Sequence, residues 1–135
     1  MAPNPCDEKI SAYPKHVQLA LTQMRARILQ LAADNTLGKV EQTLKWGELS
    51  FSVKNGSPIR LDWKDSQPHN YYLYFNCQSK LVDTFKELYS RELEIEGNRA
   101  IVLSLSDPIE DKIIDHCLTL ALTYHKVKHL PLLGA

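Results

Sequence analysis

Net charge is the first thing this sequence lacks: its sixteen basic and sixteen acidic residues cancel. A nucleic-acid-binding domain usually carries a clustered basic excess for phosphate contacts, so we expect no nucleic-acid partner. Long apolar runs are missing too. None approaches the roughly eighteen residues that a membrane span requires, and no membrane partner is expected. The opening "MAPNPCDEKISAYPKH" has neither an apolar core run nor a small-residue cleavage site, so we expect no secretory signal. Cysteine is scarce: Cys6, Cys77 and Cys117 are odd in number and widely spaced. That excludes a disulfide framework, fits a reducing compartment, and predicts a cytoplasmic protein. Paired-cysteine motifs, phosphate-binding glycine loops and serine elbows are also absent. Nothing here argues for an enzyme.

What is present is periodicity. The 135 residues suit a single domain, and 44% hydrophobic with 24% charged residues is the balance of a globular chain rather than a disordered one. Residues 1–12 are proline-rich and polar and read as a flexible lead-in to one domain over 13–135. From Pro14 to Ala33, Val17, Leu21, Met24, Ile28 and Leu31 step by four and three, the face of an amphipathic helix. Thr36–Lys45 predicts a short second helix on Leu37, Val40 and Leu44, weakened by Gly38.

Strands follow. "LSFSV" and "IRLDW" alternate, and a three-residue loop from Asn55 to Ser57 sets Val53 on Ile59, Phe51 on Leu61 and Leu49 on Trp63. "YYLYFNC" is a third strand, aromatic enough to be central. Gln78–Ser90 reads as helix through Leu81, Val82, Phe85, Leu88 and Tyr89. "LEIEGNRAIVLSL" is two more strands. Its Glu96-Gly97-Asn98-Arg99 junction has the residues of a site, but Gly97 and Asn98 tolerate positive φ and the register favours a three-residue turn. Asp107-Pro108-Ile109-Glu110 has the form of a helix start, with Ile113, Ile114, Cys117, Leu118, Ala121 and Tyr124 on the apolar face. The predicted fold is α+β: an αβ sandwich in the order ααβββαββα, with a mainly antiparallel five-stranded sheet and helices on one face.

The blocks "LKWGELSF", "LEIEGNRAIVLSL" and "CLTLALTYHKVKHLPLLGA" together resemble the YdhG-like family, a domain of unknown function in many bacteria. The resemblance covers roughly residues 40–135. It implies a frataxin-like αβ sandwich, and one branch of the family is regarded as an intracellular iron chaperone that supplies iron for cofactor assembly. It supplies no catalytic residues. Frataxins bind iron mainly through carboxylates on the first helix, whereas Pro14–Ala33 here contains Lys15, Arg25 and Arg27 and no carboxylate.

Candidate chemistry is correspondingly thin. Glu92, Glu94 and Glu96 alternate along one strand, which makes them the candidate oxygen ligands for weakly bound iron. The same pattern suits a solvated edge strand that resists sheet-to-sheet pairing. His125 and His129 have a metal-compatible spacing, but basic residues at a helix end are explained more simply by the helix dipole. His116 lies on the same helix. Cys77, between a strand and a helix, is the one candidate nucleophile, and a buried or half-buried structural cysteine is the plainer reading.

The pleat offers more. With Phe51, Val53, Ile59, Leu61, Trp63, Leu73 and Phe75 turned to the helices, Ser50, Ser52, Arg60, Asp62, Tyr72 and Tyr74 face outward. Trp46 and Glu48 would rim that face. Tyrosine and arginine are enriched at binding hot spots. We expect Tyr72 and Tyr74 to be partly exposed beside Arg60, in a shallow concavity or at an oligomer contact. Two functions are therefore carried forward: a non-enzymatic domain handling iron, or a module binding a protein or small ligand on the open sheet face without metal. A homodimer is compatible with either.

Overall fold

The computed structural model describes residues 4–135. The expected lead-in falls partly on residues 1–3, outside that range; its remainder is helical. Helix α1 spans Pro5–Ala12. The Asn4 side chain accepts a hydrogen bond from the Cys6 N–H at 2.9 Å, Pro5 opens the first turn, and Asp7 and Glu8 follow in it. The cap satisfies a free donor, proline loses nothing there, and the acids suit the positive end of the helix dipole. The proline that suggested a loop instead starts a helix.

Helix α2, Lys15–Asp34, buries Val17, Leu21, Met24 and Ile28 as its periodicity predicts, with Ala32 rather than Leu31 ending the stripe. Arg27 on α2 braces it to a later helix through Asp115, at 2.6 Å, and Asp111, at 3.0 Å.

The second predicted helix is a strand. β1, Glu41–Lys45, pairs with β2, Glu48–Ser52, across a two-residue turn at Trp46 and Gly47. Both turn residues are left-handed, with φ of 54° and 78°. That is the hairpin geometry whose twist matches the strands it joins. Three apolar residues in ten positions had not separated helix from strand.

β3 is Ile59–Asp62, β4 Asn70–Tyr74, β5 Glu94–Glu96 and β6 Ala100–Ser104. The sheet runs β1-β2-β3-β4-β6-β5, six strands rather than five, and every neighbouring pair is antiparallel. Helix α3, Leu81–Tyr89, joins β4 to β5, while α4, Asp111–Leu122, α5, Tyr124–Val127, and a short 3-10 turn, Pro131–Gly134, follow β6. The last helix pair starts later than expected: its N-cap is Glu110, with no side-chain cap bond, and the Asp107 N–H donates to Ser104 Oγ at 3.1 Å in the loop before it.

The architecture is α+β. Leu49, Phe51, Ile59, Leu61, Leu73 and Ile101 are fully buried, in one core with the apolar faces of the helices. Their neighbours along each strand turn to the open face, as the alternation requires. Among the described residues no helix is long and apolar enough to cross a membrane.

The β2–β3 register is Leu49 on Leu61 and Phe51 on Ile59, two residues from the expected one. An even slip keeps every side chain on its expected face. The loop is longer because it docks on the end of α4: the Ser57 N–H donates to the Ala121 carbonyl at 2.8 Å, and the His125 N–H to the Asn55 carbonyl at 3.0 Å. A carbonyl left free at the helix end is satisfied by the loop. The β5–β6 connection is a three-residue turn as expected, but it spans Gly97–Arg99 rather than the expected Glu96–Asn98, which puts Ile95 instead of Leu93 opposite Ile101.

Gly56 sits where that loop meets α4. A Cβ there would lie 2.6 Å from the Leu122 carbonyl oxygen and 2.9 Å from Val53 Cγ2. Backbone cannot yield as a side chain does, so Gly56→Ala is expected to destabilise the fold by about 1–3 kcal/mol in urea unfolding. A change within a few tenths would mean that the loop is not seated on the helix.

Candidate ligand site on the open sheet face

The open face divides into a sealed half and a hollow half. In the sealed half, Tyr72 and Tyr74 are only 3% and 2% exposed, which corrects the expectation that they are open to solvent. Their rings stack at 5.8 Å and cluster with Ala100 and Val102, apart from the main core. Their cover is cationic: Lys64 Nζ lies 4.9 Å from the Tyr72 ring centre and 5.7 Å from that of Tyr74, and the Arg99 guanidinium 5.3 Å from that of Tyr74. Long cationic side chains lay their stems on apolar surface while the charge is drawn to the ring faces. Burial pushes the Tyr74 phenol above its ordinary range, and a hydrogen bond with Tyr74 raises Lys64.

The hollow half lies over β1, β2 and β3. It is a concavity of about 550 Å³, within the usual range for small-molecule sites. Thr43, Ser50 and Ser52 form its hydroxyl-lined floor, because alternation brings these three to the same face of the β1–β2 hairpin. Ser50 is 4% exposed. Arg60 and Arg99 also line the hollow. Trp46 stands at its rim, 93% exposed.

The six expected residues therefore take different roles. Trp46 and Arg60 line the hollow. Glu48 supports it, with Oε1 3.5 Å from Arg60 Nε. Burial raises the Glu48 carboxyl, against the pull of Arg60 in the other direction. Asp62 is already engaged: Tyr13, between α1 and α2, donates its phenolic O–H to Asp62 Oδ1 at 2.6 Å. Tyr72 and Tyr74 are the covered patch beside the hollow. The Glu96–Arg99 junction is a turn, as read, yet it also delivers Arg99 to the site. Sequence reasoning stopped at the turn: alternation would put Arg99, next to the Tyr74 partner Ala100, on the other face, and only its place in the turn lets the side chain reach the Tyr74 ring.

The remaining candidates do not assemble. β5 begins at Glu94, so Glu92 lies in the turn before it, while Glu94 and Glu96 are exposed on the far edge strand. Among the described residues, no three His, Cys, Asp or Glu side chains gather in a geometry that could hold a metal ion. His116 is paired with the Tyr89 hydroxyl, His125 belongs to α5, and His129 lies beyond it, so the two spaced histidines do not share one helix. Cys77 is exposed rather than buried and lines the hollow, whereas Cys6 and Cys117 are buried. Burial raises the Cys117 thiol to about 12. No histidine accompanies Cys77 in the lining.

Compared with family models, curated proteins and solved structures, the chain matches none.

The Tyr13–Asp62 bond makes a pH prediction. Burial first, then the hydrogen bond to Asp62 and its charge, push the Tyr13 phenol well above its ordinary value near 10. The neutral phenol is the form that the fold favours, so its contribution is complete below about pH 10 and is lost as pH rises further. Tyr13→Phe should lower stability at neutral pH by about 1 kcal/mol and remove part of the alkaline fall. Urea unfolding from pH 7 to 11 checks both (range set by the ordinary tyrosine value of about 10), and an unchanged alkaline slope would count against this bond.

Proposed function

We propose that the protein is a non-enzymatic binding module that takes a small ligand in the hollow half of its open sheet face. The observation that carries this is an exposed indole and an arginine without an ion pair among the described residues, brought to one concavity by two separate hairpins. Trp46 comes from the β1–β2 turn and Arg99 from the β5–β6 turn, far apart along the chain. The fold gains little from Trp46, while Arg99, though laid on the Tyr74 ring, keeps its charge unpaired among the described residues. Trp46 leaves its large apolar surface in water, and its backbone occupies a left-handed region that costs a residue other than glycine about 1 kcal/mol or more. Both costs are easier to understand if a ligand covers the indole.

The YdhG-like resemblance is compatible with this reading. Two of its blocks, "LKWGELSF" and "LEIEGNRAIVLSL", are the hairpins that carry Trp46 and Arg99. The frataxin-like iron delivery that the resemblance also implies has no convergent ligand set behind it among the described residues. We therefore place function at the hollow.

An NMR screen with small neutral, anionic and cationic fragments tests the site. Bound fragments should shift the amides of Ser50, Ser52, Arg60 and Arg99 and slow alkylation of Cys77, the one exposed thiol. Hits confined to other surfaces, or none from any class, would overturn the reading. The turn supplies a second test. Trp46→Asn replaces an unfavourable left-handed residue by one that the Asn-Gly turn prefers, and should raise stability by roughly 0.5–1 kcal/mol in urea unfolding while weakening fragment binding. Unchanged binding would remove Trp46 from the site.

A further inference from the structure

We infer that the ligand of this hollow is a monoanion carrying a flat apolar group, of the aromatic carboxylate class, with its carboxylate held by Arg60 and Arg99 and its ring against Trp46. The inference rests on the binding-module reading above and names what that module would select.

Three observations lead there. The first is charge. Lys45, Arg60 and Arg99 line the hollow against Glu41, and Glu48 lies behind Arg60. Three cations face two carboxylates, so the hollow carries an excess of one positive charge, which one anionic group would neutralise. Arg99 has no carboxylate within ion-pairing distance among the described residues and rests only on the Tyr74 ring. Arg60 meets Glu48 through Nε, leaving its outer nitrogens as free donors.

The second is geometry of recognition. A guanidinium presents a planar fork that matches a carboxylate through two parallel hydrogen bonds, which a lysine cannot do. The Ser50 side chain lies on the floor between β1 and β3, and its hydroxyl adds a neutral donor to the same place. The third is the indole. Trp46 offers a large flat face at the rim, and an aromatic ring stacked there would recover apolar area now left in water.

A naphthalene monocarboxylate and its neutral carboxamide separate the possibilities on the intact protein. The carboxylate should shift the amides of Ser50, Ser52 and Arg99, and the carboxamide should bind more weakly by about tenfold or more, the loss expected for a charge-assisted bond. Arg99→Gln, at an exposed position, should reduce carboxylate affinity by a similar factor and carboxamide affinity by clearly less, because only the carboxylate loses a charge-assisted bond. Trp46→Asn should weaken both probes. Equal binding of the two probes at these residues would overturn the anionic class while leaving the open-face site intact. The class also falls if neither probe binds there but other fragments do. If nothing in the wider screen binds there, the site itself falls with it.

Discussion

The cationic ends of Lys64 and Arg99 over the stacked rings of Tyr72 and Tyr74 are the contact on which the open face depends. A sheet has two faces, and the helices of this chain share a core with one of them. The other must manage its own aromatic residues. Here a loop lysine and a turn arginine seal two tyrosines to a few per cent exposure without a further layer of secondary structure. Because Arg99 both covers Tyr74 and lines the adjoining hollow, the patch that closes one half of the face also furnishes the other half with charge. Structure and binding potential therefore meet in one side chain.

The β1–β2 turn shows the opposite economy. Its geometry demands two left-handed residues, and asparagine followed by glycine is the sequence that meets the demand most easily. The chain has tryptophan followed by glycine, with the tryptophan almost wholly in water. Local preference is set aside at a place where a neighbouring concavity can use the side chain. Departures from local consistency of this kind tend to mark functional positions, because the fold gains nothing from them.

Much of the framework was legible. The stripe of α2 follows from apolar spacing, and the faces of β2, β3 and β4 follow from alternation, which survives a register slip of two residues unchanged. The turn at Gly97 was legible from residues that tolerate positive φ. Three things were not. Thr36–Lys45 has too few apolar residues to distinguish a strand period from a helical one, and the Trp46-Gly47 turn lacks the asparagine that announces such hairpins. The helix at Pro5–Ala12 was hidden because proline reads as a breaker unless its place in the first turn is recognised. The burial of Tyr72 and Tyr74 was invisible to alternation, which assigns a side chain to a face but not to water. Their cover comes from outside their own strand, and only the assembled sheet brings it near.

The two borders of the sheet are protected by different means. At one border, β5 is three residues long and carries Glu94 and Glu96, too short and too charged to template another strand. At the other, β1 is longer and mostly exposed, but α1 lies against it: Cys6 Sγ donates to the Thr43 carbonyl at 3.4 Å. On the same strand, Arg25 of α2 donates to the Gln42 side chain at 2.7 Å. The capped N-terminal helix thus acts as a guard against edge-to-edge aggregation. Clipping the chain within residues 4–12 would take Cys6 and Ile10 out of the core and at the same time bare the β1 edge to another strand.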